Sequence, residues 1–323
     1  MSEPIVSVVT PFHNTAKYLD ACIESVLRQT WPRFEYLLVN NQSTDRSAEI
    51  ARTWAARDPR IRVVDQPVFL DQIANYNSAL ALISADSEYV KIVQADDTIV
   101  PECIERMVRV GELDPAVAIV GSYHVYGSWV LFSGVPLDRP VHDGKSICRY
   151  QLLSPDFLMG NPTTLMYRAS CVRARNPFFA PGRVHEDTEA CFEILETASF
   201  GFVPQVLSFV RMENDEGSIS GSWRQYDWFI ALRYTMLRRF GAAFLSPGEL
   251  SRAETRVTLG YAWCLARAAV AMRGAGYFAF HRTRLAEVGE ALTPLTPIAW
   301  MGRLAAGFAT RAGRALIRRL GSR

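Results

Sequence analysis

The sequence predicts an α/β fold, a Rossmann-like, mainly parallel sheet flanked by helices and continued by a C-terminal helical extension. Through about the first 125 residues, short β-branched apolar runs alternate with helically periodic segments, the pattern of successive strand-helix crossovers. Polar residues collect where those runs end, and from Tyr226 onward the spacing turns helical.

Five strands are expected, at Ile5–Thr10, Tyr36–Asn40, Ile61–Val64, Tyr89–Val93 and Val117–Val120. Between the first two, Leu19, Ile23, Val26 and Leu27 recur at helical spacing, and Trp31-Pro32 marks the stop. Ser43, Thr44 and Asp45 carry short oxygens suited to capping a second helix through Ile50 and Trp54. Ile73, Leu80 and Ile83 mark a third, and Pro101 suits the first turn of a fourth. From Gly121 to Ser154, Tyr, Trp, Gly and Pro break the periodicity, so an irregular lobe is expected, with Asn161-Pro162-Thr163-Thr164 as a turn entering a strand or as part of an acceptor site. Phe229, Leu232, Tyr234, Leu237 and Phe240 then recur at mixed three- and four-residue steps, followed by Trp263, Leu265 and Val270. The expected division is residues 1–222, in halves 1–120 and 121–222, followed by 223–323.

A chain of 323 residues with 49% hydrophobic content can bury one large core with a smaller appended unit. The net charge of +2 speaks against a nucleic-acid binder. That balance hides a local bias, because every charged residue after Ala291 is an arginine: Arg303, Arg311, Arg314, Arg318, Arg319 and Arg323. Residues 298–323 place Leu304, Phe308, Leu316 and Leu320 broadly on one helical face and arginines on the other. Such a helix lies on an anionic membrane interface or packs on the domain with a solvated arginine face. Six cysteines without metal or disulfide spacing fit a reducing compartment. Without a signal-peptide pattern or an apolar run of about twenty residues, the expected location is the cytoplasm, including the cytoplasmic face of an inner membrane.

Ligands of open α/β sheets gather beyond the carboxyl ends of the strands, so Pro11–Asn14, Asn40–Asp45 and Gln94–Thr98 should share one rim. Asp96 and Asp97, following a buried strand, offer hard oxygens to a divalent ion, and Glu186 and Asp187, arriving from elsewhere, can supply a base. Simpler roles are also open. Asp96-Asp97 makes a reasonable helix-capping loop, Glu186-Asp187 a solvated helix N-terminus, and Asp45 a cap.

Ser7-Val8-Val9-Thr10-Pro11-Phe12-His13-Asn14, Asn40 to Asp45, Ala95-Asp96-Asp97 with Pro101, and Glu186-Asp187 together resemble the family 2 glycosyltransferases of the GT-A fold. The resemblance covers roughly residues 4–215. It implies inverting transfer of a sugar from a nucleotide-sugar donor, with Mn²⁺ or Mg²⁺. The family's metal motif falls on Gln94, Asp96 and Asp97, its base on Asp187, and its donor contacts on Pro11, Asn14, Asn40, Asn41, Tyr76 and Asp96. Glu186 either raises the pKa of Asp187 by repulsion or holds the acceptor, and His185 is a further candidate for either role. Arg211 and Gly217–Trp223 resemble a late loop that closes over the donor. Asn40 and Asn41 stand where acids are frequent in the family, Tyr76 where an arginine is, and Gln94 where the metal motif has its first acid.

The expected function is transfer of a sugar, from a UDP-sugar by preference, to a hydroxyl of a glycan or lipid-linked acceptor of the cell surface. Two other classes fit parts of the chain. A catalytically silent nucleotide-sugar binder would explain the departures at Asn40, Asn41, Tyr76 and Gln94, and a membrane-associated scaffold would explain the arginine-rich tail.

Overall fold

The computed structural model describes residues 3–131, 134–154, 158–159, 161–183, 185–211 and 225–293. Residues 217–223 and 298–323, which carry the expected late loop and basic helix, lie outside the described residues. The chain divides into two compact units, Met1–Glu213 and Asn214–Arg323.

In the first unit β1 (Val6–Phe12), α1 (Ala16–Leu27), β2 (Phe34–Asn40), α2 (Ser47–Ala55), β3 (Ile61–Asp65), α3 (Gln72–Leu80) and β4 (Tyr89–Ile92) alternate without exception. β1 is buried at all seven positions, as a central parallel strand covered on both faces must be. Leu19, Cys22, Ile23 and Val26 of α1 are fully buried at the spacing that makes one apolar stripe, and they share a core with Val8, Tyr36 and Leu38. The short β5 (Thr98–Ile99) precedes α4 (Cys103–Gly111); Pro101 sits in the preceding turn, two residues before the helix it was expected to open. Asp45 accepts from the backbone N–H of Ser47 at 2.9 Å, while Arg46 occupies the N-cap position of α2.

The lobe from Gly121 to Ser154, expected to be irregular, is more regular than its composition implies, and the strand expected at Val117–Val120 runs on into it. It contains β6 (Val117–Tyr126), β7 (Trp129–Leu131), β8 (Val141–Asp143) and α5 (Gly144–Leu153), capped by Asp143. A 3₁₀ turn at Pro162–Thr164 leads into β9 (Leu165–Arg168); α6 (Ala169–Ala174), α7 (Glu186–Leu195) and β10 (Ser199–Val210) complete the unit. Gly144 is required for packing. An added Cβ would lie 2.2 Å from the Ala198 carbonyl oxygen and 2.5 Å from that of Leu195, backbone atoms that cannot rotate away. Gly144→Ala should therefore lower the unfolding free energy by about 1–3 kcal/mol, read as a reduced urea midpoint at an unchanged slope.

All the strands described join one mixed sheet in the order β3-β2-β1-β4-β9-β6-β10-β5, with β7 on β6 and β8 on β10. β3, β2, β1 and β4 run parallel, and the strand order turns at β1, whose neighbours are β2 and β4. Phe12 pairs with Asn40 and Asn40 with Asp65, so the loops after β1, β2 and β3 leave the sheet at one edge. β9 enters antiparallel between β4 and β6, with Lys91 opposite Met166. Its direction brings its leading residues to the carboxyl end of β4. β10 pairs with β5 through Phe209 and Thr98, which carries Arg211 to the same place.

The second unit contains α8 (Trp228–Phe244), α9 (Pro247–Val270) and α10 (Ala275–Ala286). Ser246 and Glu249 form a capping box, and Pro247 stands in the first turn of α9. Leu232, Tyr234, Leu237, Tyr261 and Leu265 are buried, and Tyr261 bonds His281 at 2.7 Å. Trp263 and Val270 instead face outward, at 69% and 85% exposure. Among the described residues no helix is long and apolar enough to cross a membrane.

Candidate functional site

The loop after β1 is stapled to the loop after β2. Asn14 has φ 51°, a left-handed conformation that asparagine tolerates better than most side chains. There its Oδ1 accepts from the Thr44 backbone N–H at 2.8 Å, and its own N–H donates to Ser43 Oγ at 3.1 Å. Asp45 Oδ2 accepts from the Ala16 N–H at 3.0 Å, joining the start of α1 to the same loop. His13 Nδ1 lies 2.7 Å from the Asn41 carbonyl oxygen, and its ring meets Phe69 edge-on at 4.9 Å.

The two asparagines expected among the donor contacts both bond within the protein. Asn40 donates to Asp65 Oδ1 at 2.8 Å and accepts from the Ser43 N–H at 3.0 Å. Asn41 clamps the Leu70 backbone through both ends of its amide, each bond 2.9 Å. They hold the loop after β2 to the end of β3 and to the segment at Leu70. Asp65 was not anticipated, although its place at the carboxyl end of β3 was a usable signal. Hydrogen bonding from Asn40, then Arg52, holds its carboxyl below its ordinary value.

At the end of β4 the two adjacent acids have different surroundings. Asp97 is buried; its Oδ2 accepts from the Thr163 hydroxyl at 2.5 Å and its Oδ1 from the Arg211 backbone N–H at 2.9 Å. The Thr163 hydroxyl also accepts from the Gln94 N–H at 3.0 Å, and the wholly buried Lys91 donates to the Thr163 and Leu165 carbonyl oxygens. Lys91 was missed as part of this site, its one visible signal being a lysine inside an apolar strand run; Thr163 was expected in a turn or an acceptor site, not as a partner of Asp97. Asp96 is less buried and its carboxylate has no hydrogen bond to another side chain among the described residues, while its backbone carbonyl accepts from Arg211 Nε at 3.1 Å. Burial raises both carboxyl pKa values, and Asp96 raises that of Asp97 further by repulsion.

The second acidic pair forms the first turn of α7. Asp187 Oδ1 accepts from the Thr188 N–H at 2.6 Å and from its hydroxyl at 3.3 Å, which fixes the carboxylate plane. Burial is the main cause that raises the Asp187 carboxyl above its ordinary value, with added repulsion from Glu189. Glu186 is raised by burial first and then by Asp187. A merely solvated helix N-terminus would leave both acids near their usual range.

Tyr76 connects the two acidic pairs. Its buried hydroxyl is raised in pKa by burial, bonds the Gln94 side chain, and feels the charges of Asp96, Asp97 and Glu186. Phe179 packs edge-on against its ring at 6.1 Å, and Asn77 holds the Phe179 N–H and carbonyl with two bonds of 2.8 Å. These contacts tie the segment before α7 to α3 and bring the second pair toward the sheet edge.

A mixed sheet with one parallel half, flanking helices and acids at its carboxyl edge defines the GT-A class of glycosyltransferase folds. The solved structure of S. aureus TarS residues 1–349 with UDP-GlcNAc matches with a TM-score of 0.63 at 15% identity, over 88% of this chain and 80% of that one. A mannosyltransferase from Pyrobaculum calidifontis, solved with GDP-Man and Mn²⁺, matches with a TM-score of 0.58 at 19% identity, over 98% and 81%. Residues 7–169 match the family model described as glycosyl transferase family 2. The chain belongs to that family. Glycosyltransferase GlyG of Streptococcus pneumoniae serotype 4 is 36% identical over 126 residues, 39% of this chain and 41% of GlyG. A putative teichuronic acid biosynthesis glycosyltransferase of Bacillus subtilis, TuaG, is 26% identical over 71% of this chain and 87% of its own length. The chain thus spans less than half of one relative and most of another.

Proposed function

We propose that this protein transfers a sugar from a nucleotide-diphosphate sugar to a hydroxyl of a cell-surface glycan or lipid-linked acceptor, in one displacement that inverts the anomeric carbon. The observation that carries the reading is the anchoring of the segment before α7 on α3, through the Tyr76–Phe179 ring contact at 6.1 Å and the two Asn77 bonds to Phe179, which sets Glu186 and Asp187 on the side of the sheet edge that holds Asp96 and Asp97. Asp187 takes the proton of the acceptor hydroxyl. The acceptor oxygen forms its bond to the anomeric carbon as the bond from that carbon to the phosphate oxygen breaks, and the electron pair leaves on the diphosphate. Thr188 holds Asp187 for this proton transfer, and Glu186 orients the acceptor.

A divalent ion fits the residues present. Mg²⁺ and Mn²⁺ sites at phosphates need only one or two protein carboxylates, the remaining ligands being phosphate and water oxygens. Asp96, partly exposed and unbonded by other side chains among the described residues, meets that need, whereas both Asp97 oxygens already hold the fold. When bound, the ion supplies positive charge to the departing diphosphate. Pro11 and Asn14 shape the donor pocket, Asn40 and Asn41 support it, and Tyr76 presents a neutral hydroxyl where charge would otherwise bind phosphate. TarS with UDP-GlcNAc and the mannosyltransferase with GDP-Man and Mn²⁺ support a nucleotide-sugar donor and a metal. TuaG supports a surface polysaccharide as the product.

Thermal melting with UDP, GDP, dTDP and CDP, each with and without Mn²⁺, tests this. One nucleotide with Mn²⁺ at a hundred times its Kd should stabilise the fold by about 2.7 kcal/mol, and the matching sugar nucleotide should turn over with an acceptor. No response to any nucleotide would refute the reading; binding without turnover or hydrolysis across acceptors would reassign the chain as a silent binder.

A further inference from the structure

The outward face of α9 is a second feature with its own chemistry. Arg252, Arg256, Leu259, Trp263, Arg267 and Val270 are all exposed, and at 100° per residue they fall within an arc of ~80° along the helix. Leu259, Trp263 and Val270 are 39%, 69% and 85% exposed, a large apolar display for a surface helix. The opposite face, with Ala253, Val257, Tyr261, Leu265 and Ala268, is already buried, so the unit's own packing does not account for the outer residues. The single acid between residues 252 and 270, Glu254, is turned away and bonds Arg238 of α8 at 3.0 Å.

We propose that this face docks on an anionic phospholipid surface. Guanidinium groups attract the headgroups, and the indole and aliphatic side chains insert among the acyl chains, an arrangement that orients a helix parallel to the bilayer. Charge excludes the other occupants. A symmetric dimer through this patch would set arginines against arginines. Residues 291–323, whose charged side chains are all arginines, would meet the same repulsion. Nucleic acid would satisfy the cations but gives Leu259 and Val270 no apolar interior to enter. The inference is independent of the transfer chemistry, since it rests on residues of the second unit alone.

The test is co-sedimentation of the full chain with vesicles of phosphatidylcholine alone or mixed with phosphatidylglycerol. Binding should require the anionic lipid and weaken with salt. Arg252→Gln, Arg256→Gln and Arg267→Gln together should lower partitioning on the order of 100-fold. Trp263→Ala should lower it about tenfold or more, because the indole is the largest inserted apolar group. These positions are exposed, and a melting curve of each variant matching the parent keeps a loss of partitioning distinct from a loss of fold. The proposal is overturned if the chain does not bind, if neutral vesicles bind it equally, or if these variants partition like the parent while replacing the arginines of residues 303–323 abolishes binding. A parent dimer that Trp263→Ala dissociates in sedimentation velocity would assign the face to a second copy instead.

Discussion

Asp187→Asn is expected to lower the rate of sugar transfer by about 10²- to 10⁴-fold, the range that a positioned general base contributes, with little change in donor binding. Asparagine keeps an oxygen for the Thr188 N–H and hydroxyl, so the loss reports the missing base and not a misplaced loop. In the parent, activity should fall on the acid side at a pH above the ordinary carboxylate value of about 4, because burial raises the Asp187 carboxyl. Stability has the opposite dependence. The unfolded chain releases this proton at lower pH than the folded one, so the stability contribution is full below the unfolded value and is lost as pH rises through the raised folded value. The variant lacks that loss. Its melting temperature relative to the parent should rise with pH across that window, and an equal offset at all pH values would argue against a buried titrating base.

The second large effect separates two adjacent acids. Asp97→Ala strips partners from the buried Thr163 hydroxyl and the Arg211 N–H, at about 1–3 kcal/mol for each unsatisfied group. Asp96→Ala breaks no hydrogen bond of the Asp96 carboxylate to another side chain among the described residues and relieves repulsion of Asp97, so it should not lower the melting temperature of the free protein while removing the added stabilisation that Mn²⁺ gives with nucleotide. Urea titration and nucleotide melting curves on both variants decide the matter. Equal loss of fold stability in both would mean that the pair is a structural loop.

Much of the fold was legible because its signals are local. β-branched runs and helical spacing place β1 to β4 and α1 to α3 within a few residues, since buried strands and amphipathic helices declare themselves over a few turns. Pro101 misleads by two residues because the turn after β5 also accommodates a proline. The lobe after Gly121 reads as irregular because its short strands are defined by pairing with β10 and β6, and pairing at long range leaves little trace in composition. The same limit applies to the site. Asp96 and Asp187 stand out as acids in recognisable places, but Thr163, Lys91 and Asp65 matter only through partners distant in the chain. Asn40 and Asn41 show the converse, since the resemblance places them among donor contacts and only the fold reveals that they bond Asp65, Ser43 and Leu70.

The antiparallel strand laced between β4 and β6 has a mechanical consequence. The parallel strands β3-β2-β1-β4 and the strands beyond β9 share one hydrogen-bonded sheet, so neither side can swing on a hinge without breaking the β4–β9 or β9–β6 ladder. Change at the carboxyl edge of this sheet is therefore left to side chains and loops, and substitutions can accumulate in them without loosening the frame beneath.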